Sequence, residues 1–360
     1  MTSKTWPRAS SLAVALLCAA CQHPTEPPPR TVAASNQPDA PKDEGELRAE
    51  GAGAHTIGTL GPALAVKTLD GDTIDLAALY GTKPVYLKFW ATWCIPCRKQ
   101  MPGFERIYET VGDRMQVIAV DAGLSDDEAS VRAFREQYGL RMPVVVDDGR
   151  LAAALDLQVT PQHVLIGRDG RIAYVGHQDG DKLAEAIQKV LSEPGAHSPV
   201  VGRAVAIRPA FRPGDLVQGL TATTTDGTVV PLGRSSDGRP RGVVLFSTWC
   251  ESYLENSRPE TSQACRRVRE EVDQLMANSD VAWLGVVNGL WTSGKDVVDY
   301  QSETHAKLPL VLDVDGALFR AFGVHQMPTV ALLDPEGRLV RLVGPEDRDL
   351  AAAVRALPRK

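Results

Sequence analysis

The stretch Trp93-Cys94-Ile95-Pro96-Cys97 joins an apolar segment to an amphipathic one. Residues 85–90, just before it, are apolar and rich in β-forming types, which predicts a buried strand. After it, apolar residues recur at helical spacing around residues 104–108, which predicts a helix. The two cysteines therefore lie where a strand passes into a helix.

This position favours redox chemistry at the two cysteines. Free N–H groups and the positive end of the helix dipole stabilise a thiolate at Cys94, so we predict that Cys94 is the attacking nucleophile. Cys97 lies one helical turn further on and can reach back to resolve a mixed disulfide. Pro96 stiffens the intervening turn without removing an N–H that the helix needs.

Other functions of a Cys-x-x-Cys pair have less support. No second such pair and no pair of His residues lies within zinc-finger distance of the two cysteines, and Arg98 stands where attachment of a c-type haem requires His. A purely structural disulfide would close a loop of only four residues and gain little stability. We therefore predict no metal ion, and without a Gly-rich phosphate loop no cofactor. A net charge of −6 argues against nucleic acid as a partner.

The chain contains an internal repeat. Residues 243–250 correspond to the first strand and cysteine, and residues 322–330 with 336–338 correspond to residues 155–171. About 300 residues are too many for one small α/β unit and suit two. We predict domains over residues 56–193 and 211–360, joined by a linker over 194–210 where Pro, Gly and His replace any periodic pattern.

Residues 89–98, followed by Met101-Pro102, resemble the TlpA/ResA-type branch of the thioredoxin superfamily. Residues 159–171 resemble the Thr-cisPro turn and hairpin of that family. The resemblance implies an α/β fold of two tandem thioredoxin-like domains, each a central mixed β-sheet flanked by helices. It also implies that Pro161, after Thr160, is cis and faces the cysteines, and that the backbone beside it pairs with an extended substrate segment. Trp93 and Pro96 would shape the same site.

One residue departs from the family pattern. Lys88 occupies the position in the strand where thioredoxins carry a buried Asp that can accept the resolving thiol's proton. A lysine ammonium would instead favour thiolates by its charge. The alternative is that Lys88 extends to solvent from the end of the strand.

The second copy of the motif keeps Trp249 and Cys250 but has Tyr253 in place of the resolving cysteine. Three interpretations follow: a degenerate binding or packing domain, a monothiol at Cys250, or a Cys250–Cys265 pair. A single helix over residues 251–265 would hold the two cysteines about 21 Å apart, too far for a disulfide. Pro259 can break that helix and bring them closer.

The N-terminus predicts export. Residues 1–20 have basic residues followed by a short apolar run, as in a signal peptide. Leu17-Cys18-Ala19-Ala20-Cys21 resembles a lipobox, which predicts lipidation at Cys21, with simple cleavage near Ala20 as the alternative. Gln22 slightly favours the outer membrane within a periplasmic location. Residues 21–55 lack an apolar period and predict a disordered tether.

These observations predict an exported thiol-disulfide oxidoreductase. By the resemblance, it reduces disulfides of envelope proteins, receives electrons from a membrane thiol donor and is held to a membrane by its lipid. One alternative is a thiol peroxidase, for which Thr92 and Arg98 would have to form the peroxide pocket. Another is a redox-regulated adaptor that uses the second domain for binding.

Overall fold

The computed structural model describes residues 43–194, 200–206 and 208–358. The first half contains eight strands and six helices. The strands are β1 (Pro62–Ala63), β2 (Ala65–Lys67), β3 (Thr73–Asp75), β4 (Val85–Trp90), β5 (Gln116–Asp121), β6 (Val144–Val146), β7 (Gln162–Ile166) and β8 (Ile172–Gly176). The helices are α1 (Glu44–Thr56), α2 (Leu76–Leu79), α3 (Ile95–Val111), α4 (Glu128–Tyr138), α5 (Arg150–Ala154) and α6 (Asp181–Ser192).

Strand β4 lies at the centre of a five-stranded mixed sheet with the order β6-β5-β4-β7-β8. It pairs parallel with β5 and antiparallel with β7. All six of its residues are buried because both faces of the sheet are covered, which explains a continuous apolar run rather than an alternating one. The strand ends beside the cysteines and so fixes the position of the site.

The second half repeats this arrangement. After β9 (Arg203–Ala204), which lies in the linker, its strands are β10 (Thr221–Thr223), β11 (Val229–Pro231), β12 (Arg241–Phe246), β13 (Ala282–Asn288), β14 (Leu310–Asp313), β15 (Thr329–Leu333) and β16 (Leu339–Val343). Its helices are α7 (Cys250–Tyr253), α8 (Pro259–Asn278), α9 (Gly294–Thr304), α10 (Ala317–Ala321) and α11 (Leu350–Arg355).

The order of the second sheet is β14-β13-β12-β15-β16, the same as that of the first. Strand β12 again lies at the centre, parallel to β13 and antiparallel to β15. The predicted fold of two tandem α/β units with mixed sheets is therefore confirmed.

One of the buried apolar clusters extends through both halves. Buried residues of the first half, such as Trp93 and Met101, belong to the same continuous apolar cluster as Cys250, Leu254 and Phe322 of the second half. Burial of apolar surface is the main favourable term in folding. The second half is thus packed against the first as an extension of its core.

Part of the predicted linker is ordered secondary structure. Strand β9 pairs parallel with β1, and the Arg203 amide donates to the Gly61 carbonyl at 2.7 Å. Gly202, just before β9, passes so close that a Cβ there would lie 3.0 Å from the Gly61 oxygen and 2.8 Å from the Tyr80 ring. The start of the linker is therefore attached to the first half.

The prediction of a disordered tether up to residue 55 was wrong for its last residues. Helix α1 begins at Glu44, where the Asp43 side chain accepts from the Glu46 amide at 2.7 Å, and packs along β8. Its buried face consists largely of Gly and Ala, among them Ala49 and Ala52. Small residues allow close packing but give no hydrophobic period, so the sequence pattern did not reveal the helix.

The predicted signal peptide, Cys21 and the tether up to residue 42 lie outside the described residues. Within the described ranges, none of the helices combines the length and hydropathy that a membrane span requires.

A disulfide joins Cys250 and Cys265, whose Cα atoms are 6.3 Å apart. The helix does break: α7 ends at Tyr253 and α8 begins at Pro259, so the chain folds back between the two cysteines. The Ser262 hydroxyl also donates to the Glu251 carbonyl at 2.6 Å, which ties α8 to α7. Of the three interpretations of the second motif, the structure shows the paired one.

We expect the double variant Cys250→Ala/Cys265→Ala to unfold more easily than the wild type. The bridge spans 15 residues, and a loop of that length is worth about 3 kcal/mol of unfolding free energy. Guanidinium denaturation of the oxidised proteins measures the loss. As a control, Cys94→Ala/Cys97→Ala opens a much shorter loop and should lose less; equal losses would contradict the expectation.

Candidate functional site

Cys94 and Cys97 form a disulfide at the start of α3, with their Cα atoms 5.2 Å apart. Cys94 is the N-cap residue, and the Cys97 amide points at its sulfur with N to Sγ at 3.2 Å. Pro96 lies in the first turn of the helix. The N-terminal end of the helix dipole and this N–H both favour negative charge on the Cys94 sulfur once the disulfide is reduced.

The segment before β7 lies next to the disulfide. The Thr160–Pro161 peptide bond is cis, and the Thr160 carbonyl oxygen lies 3.4 Å from the Cys94 sulfur. His177, at the end of β8, has its Nδ1 2.7 Å from the Pro161 carbonyl oxygen. Thr160 and Pro161 therefore lie beside the cysteines, and we call residues 158–160, which precede Pro161, the strip.

Lys88 does not extend to solvent. It is 0% exposed in the middle of β4, and its Nζ donates to Gln100 Oε1 on α3 at 2.9 Å. The same Gln100 oxygen lies 3.1 Å from His163 Nε2, and His163 Nδ1 lies 2.7 Å from the Tyr86 hydroxyl. The ammonium also lies 5.1 Å from the centre of the Phe104 ring.

Burial perturbs this polar cluster. Loss of hydration lowers the pKa of Lys88 to about 7, against a smaller opposite effect of Asp179. Burial, together with the charge of Lys88, also lowers the pKa of His163 well below its ordinary value. Near neutral pH, Lys88 therefore exists as both amine and ammonium, and it can gain or lose a proton beside the active-site helix.

A second polar cluster binds Thr92, the residue that precedes Trp93 and Cys94. Asp126 accepts from the Thr92 amide at 2.8 Å and from the Thr92 hydroxyl at 2.5 Å. Arg258, which belongs to the second half, donates to Asp126 at 2.6 Å and also to the Thr92 hydroxyl. The Asp126 side chain is fully buried, so Arg258 supplies the positive charge that a buried carboxylate requires.

Asp121, at the end of β5, adds a further carboxyl group to this cluster. Burial and then the neighbouring Asp126 carboxylate raise the pKa of Asp121 well above its usual range, while Arg258 acts in the opposite direction. The Asp121 carboxyl group therefore holds its proton more tightly than an exposed aspartic acid does.

Aromatic residues of both halves meet over the disulfide. The rings of Trp93 and Trp249 lie 4.9 Å apart, and the Tyr253 ring stands edge-on to both at 6.2 and 6.1 Å. The Tyr253 hydroxyl accepts from the Ile95 amide at 3.1 Å. The residue that replaces the resolving cysteine in the second motif thus contacts the first turn of the active-site helix in the first half.

Two backbone hydrogen bonds join the halves in a nearly symmetric way. The Ser125 amide donates to the His325 carbonyl at 2.6 Å, and the Trp291 amide donates to the Gln158 carbonyl at 2.9 Å. Ser125 and Trp291 hold equivalent places after β5 and β13, and both have positive φ, at 58° and 56°. Gln158 and His325 precede the two cis prolines, Pro161 and Pro328.

Comparisons with known proteins agree with this geometry. Residues 57–175 match the AhpC/TSA family. The chain is 35% identical over 138 residues to the thiol-disulfide oxidoreductase ResA of a Bacillus cereus strain, covering 37% of this chain and 78% of that relative. It is 33% identical over 120 residues to ResA of Bacillus subtilis (strain 168), covering 33% of this chain and 65% of that relative.

The chain belongs to the TlpA/ResA-like branch of the thioredoxin superfamily. With its Cys94–Cys97 pair, this ResA-like chain is an oxidoreductase that carries out thiol–disulfide chemistry. Among solved structures, a thiol:disulfide interchange protein of the thioredoxin family from Chlorobium tepidum TLS is similar at 22% identity and a TM-score of 0.34, covering 37% of this chain and 97% of that one.

Sequence reasoning did not predict that any residue from the second half of this ResA-like chain lies at the site. Arg258 and Trp291 lie in no motif, and Tyr253 was noticed only as the replacement of a cysteine. Asp126 was missed too, because a carboxylate in a loop after a strand usually faces solvent. The repeat itself was the available signal, since two similar units with matching faces can pack symmetrically.

We expect Arg258→Gln to lower the free energy of unfolding by roughly 2 kcal/mol, because it leaves the buried Asp126 carboxylate without its cation. Chemical denaturation measures the change. The matched control is Arg141→Gln, which removes an arginine that is 61% exposed and pairs with Glu105 at 2.8 Å, and which should cost clearly less because solvent screens such a pair. Similar losses in the two variants would mean that Arg258 acts as an ordinary surface charge.

We also expect the stability of the oxidised protein to depend on pH through Lys88. Between its folded pKa of about 7 and its ordinary value of 10.5, the unfolded chain binds more protons than the folded one, so stability rises with pH. The contribution of one such group is at most about 1.4 kcal/mol per pH unit.

Lys88→Met removes this titration, so its stability curve should be flatter than the wild-type curve between about pH 7.5 and 9. Denaturation midpoints measured across this range provide the comparison. Lys182→Met, at an exposed lysine on α6, is the control and should keep the wild-type slope. A slope as steep in Lys88→Met as in the wild type would refute the assignment.

Proposed function

We propose that this chain is an exported, lipid-anchored protein that reduces disulfides of envelope proteins. The observation that carries the proposal is the Cys94 sulfur at the N-cap of α3, with the Cys97 amide aimed at it from 3.2 Å. A reduced Cys94 in that position is stabilised as a thiolate, which is the form that attacks disulfides.

The proposed reaction has two exchange steps. The Cys94 thiolate attacks one sulfur of the substrate disulfide, forms a mixed disulfide and releases the other sulfur as a thiolate. Cys97 then loses its proton, and its thiolate attacks the Cys94 sulfur, which forms the Cys94–Cys97 disulfide and releases the second substrate thiolate. The two electrons given to the substrate come from the dithiol, and a membrane dithiol donor restores it.

A CxxC pair alone does not set a potential, so the proposed direction, reduction, rests on the resemblance to the TlpA/ResA-type branch, whose relatives are named thiol-disulfide oxidoreductase ResA. Protein substrates fit the neighbouring strip, whose backbone carbonyls at Gln158 and Thr160 are suited to pair with an extended segment. The leader and Cys21 lie outside the described residues, so export and lipidation rest on the sequence pattern alone.

The thiol peroxidase alternative gains no support from Thr92 and Arg98. The Thr92 hydroxyl is engaged with Asp126 and Arg258, and Arg98 Nε donates to the Thr92 carbonyl at 2.8 Å. Both side chains therefore hold the loop together rather than line an open peroxide pocket.

The test is substrate trapping with Cys97→Ser. This variant should hold substrate proteins on Cys94 as mixed disulfides that dithiothreitol releases, because the resolving thiol is gone. Insulin reduction should fall to background in both Cys97→Ser and Cys94→Ser, while only the former captures proteins. Peroxide consumption that persists in Cys97→Ser, without captured proteins, would overturn the proposal in favour of the peroxidase.

A further inference from the structure

The cysteines are inaccessible in this arrangement of the two halves. Cys94 is 1% exposed and Cys97 0%, although exchange requires a substrate sulfur to reach the Cys94 sulfur. Residues of the second half lie next to this site, with Trp249 and Tyr253 packed on Trp93 and with Trp291 paired to the strip. A substrate that pairs with the strip must therefore displace Trp291.

Trp291 makes three contacts beside the cis proline. Its amide donates to the Gln158 carbonyl at 2.9 Å, and its indole Nε1 donates to the Thr160 hydroxyl at 3.3 Å. Its ring meets His177 edge-to-face at 5.7 Å, and His177 is in turn held on the Pro161 carbonyl. Trp291 thus gives the strip a backbone N–H and an adjacent ring. A bound peptide would provide the same two groups.

Two further features distinguish Trp291 from an ordinary packing residue. It holds a left-handed backbone conformation, with φ of 56°, which is rare for a bulky side chain and persists only when surrounding contacts impose it. In the mirror-image contact, its counterpart is Ser125, which has no ring. Within the described residues, the aromatic member of this pair of contacts lies on the strip of the half that carries the CxxC pair.

A groove beside Trp291 provides space in which a substrate segment can replace Trp291 on the strip. It has a volume of about 510 Å³ and reaches Trp93 and Pro96 of the active-site stretch. Trp249, Tyr253 and Tyr300 form its remaining aromatic walls. The aromatic part of the lining suits large apolar or aromatic side chains, and four carboxylates, those of Glu44, Asp296, Asp299 and Glu303, line another part of the groove.

We propose that Trp291 is a specificity-determining residue that occupies the strip in place of substrate, so that the enzyme selects extended protein segments with an aromatic residue near the reactive cysteine. Such segments can replace both the backbone hydrogen bond to Gln158 and the ring beside His177. This inference rests on the proposed reductase function, since it concerns which disulfides reach Cys94.

The test compares Trp291→Ala, Trp291→Phe and the matched control Ser125→Ala in the full chain. The first readout is the rate at which iodoacetamide alkylates Cys94 in the reduced protein, followed by peptide mass spectrometry. The second is kcat/KM for reduction of insulin. Thermal unfolding establishes that each variant is folded.

Trp291→Ala should accelerate both processes at least about tenfold, because it removes the ring and the indole hydrogen bond that hold the second half against the strip. Trp291→Phe keeps a ring and loses only the bond to Thr160, so we expect about a fivefold gain. Ser125→Ala should stay within about twofold of the wild type, since its backbone makes the mirror contact to His325 and its hydroxyl adds only a 3.4 Å hydrogen bond from the Met327 amide. If Trp291→Ala does not fold, the comparison of Trp291→Phe with the wild type tests the proposal.

Unchanged alkylation of Cys94 in the folded Trp291 variants would overturn the inference. Equal acceleration by Ser125→Ala would overturn it as well, because any loosening of the interface would then suffice. Failure of the proposed function looks different: neither the wild type nor any variant would reduce insulin, whatever the rate of alkylation.

Discussion

The contact between Trp93 and Trp249 is the interaction on which the arrangement of the two halves depends. Each tryptophan precedes the first cysteine of its motif, and each indole N–H is satisfied within its own half, by Leu124 or Leu290. The ring faces are therefore free to pack on each other at 4.9 Å. Because aromatic contacts bury much apolar area, this pair stabilises the packing of the two helix starts against each other.

With the two helix starts facing each other, residues of the second motif contact the first half instead of forming a second active site. Tyr253 occupies the place of a resolving thiol but accepts a hydrogen bond from Ile95. Arg258, in the break between α7 and α8, neutralises a carboxylate that belongs to the first half. The Cys250–Cys265 bridge fixes both ends of that break. Loss of the second CxxC therefore coincides with gain of a surface that completes the first site.

The sequence predicted most of the local secondary structure around the cysteines but few of the contacts between the two halves. A buried strand followed by a helix start, seen around Cys94, has a distinct pattern in residue types, and the repeat carried that interpretation to Cys250. The ion pair between Arg258 and Asp126 joins residues 132 positions apart, and side-chain type alone does not reveal such pairings. Helix α1 was missed for another reason, since Gly45 and Ala52 pack by being small and leave no apolar period.

Strand β9 sets a limit on how far the halves can separate. It ends at Ala204 on the edge of the first half, and the Phe211 amide is bonded to the Ala321 carbonyl in the second half. Seven residues of chain cover that interval, a span of about 25 Å at most. A displaced second half would thus remain at an effective concentration of the order of millimolar near the cysteines. Each substrate must compete with this tethered second half, so each exchange would end with rapid reclosure over the newly formed Cys94–Cys97 disulfide.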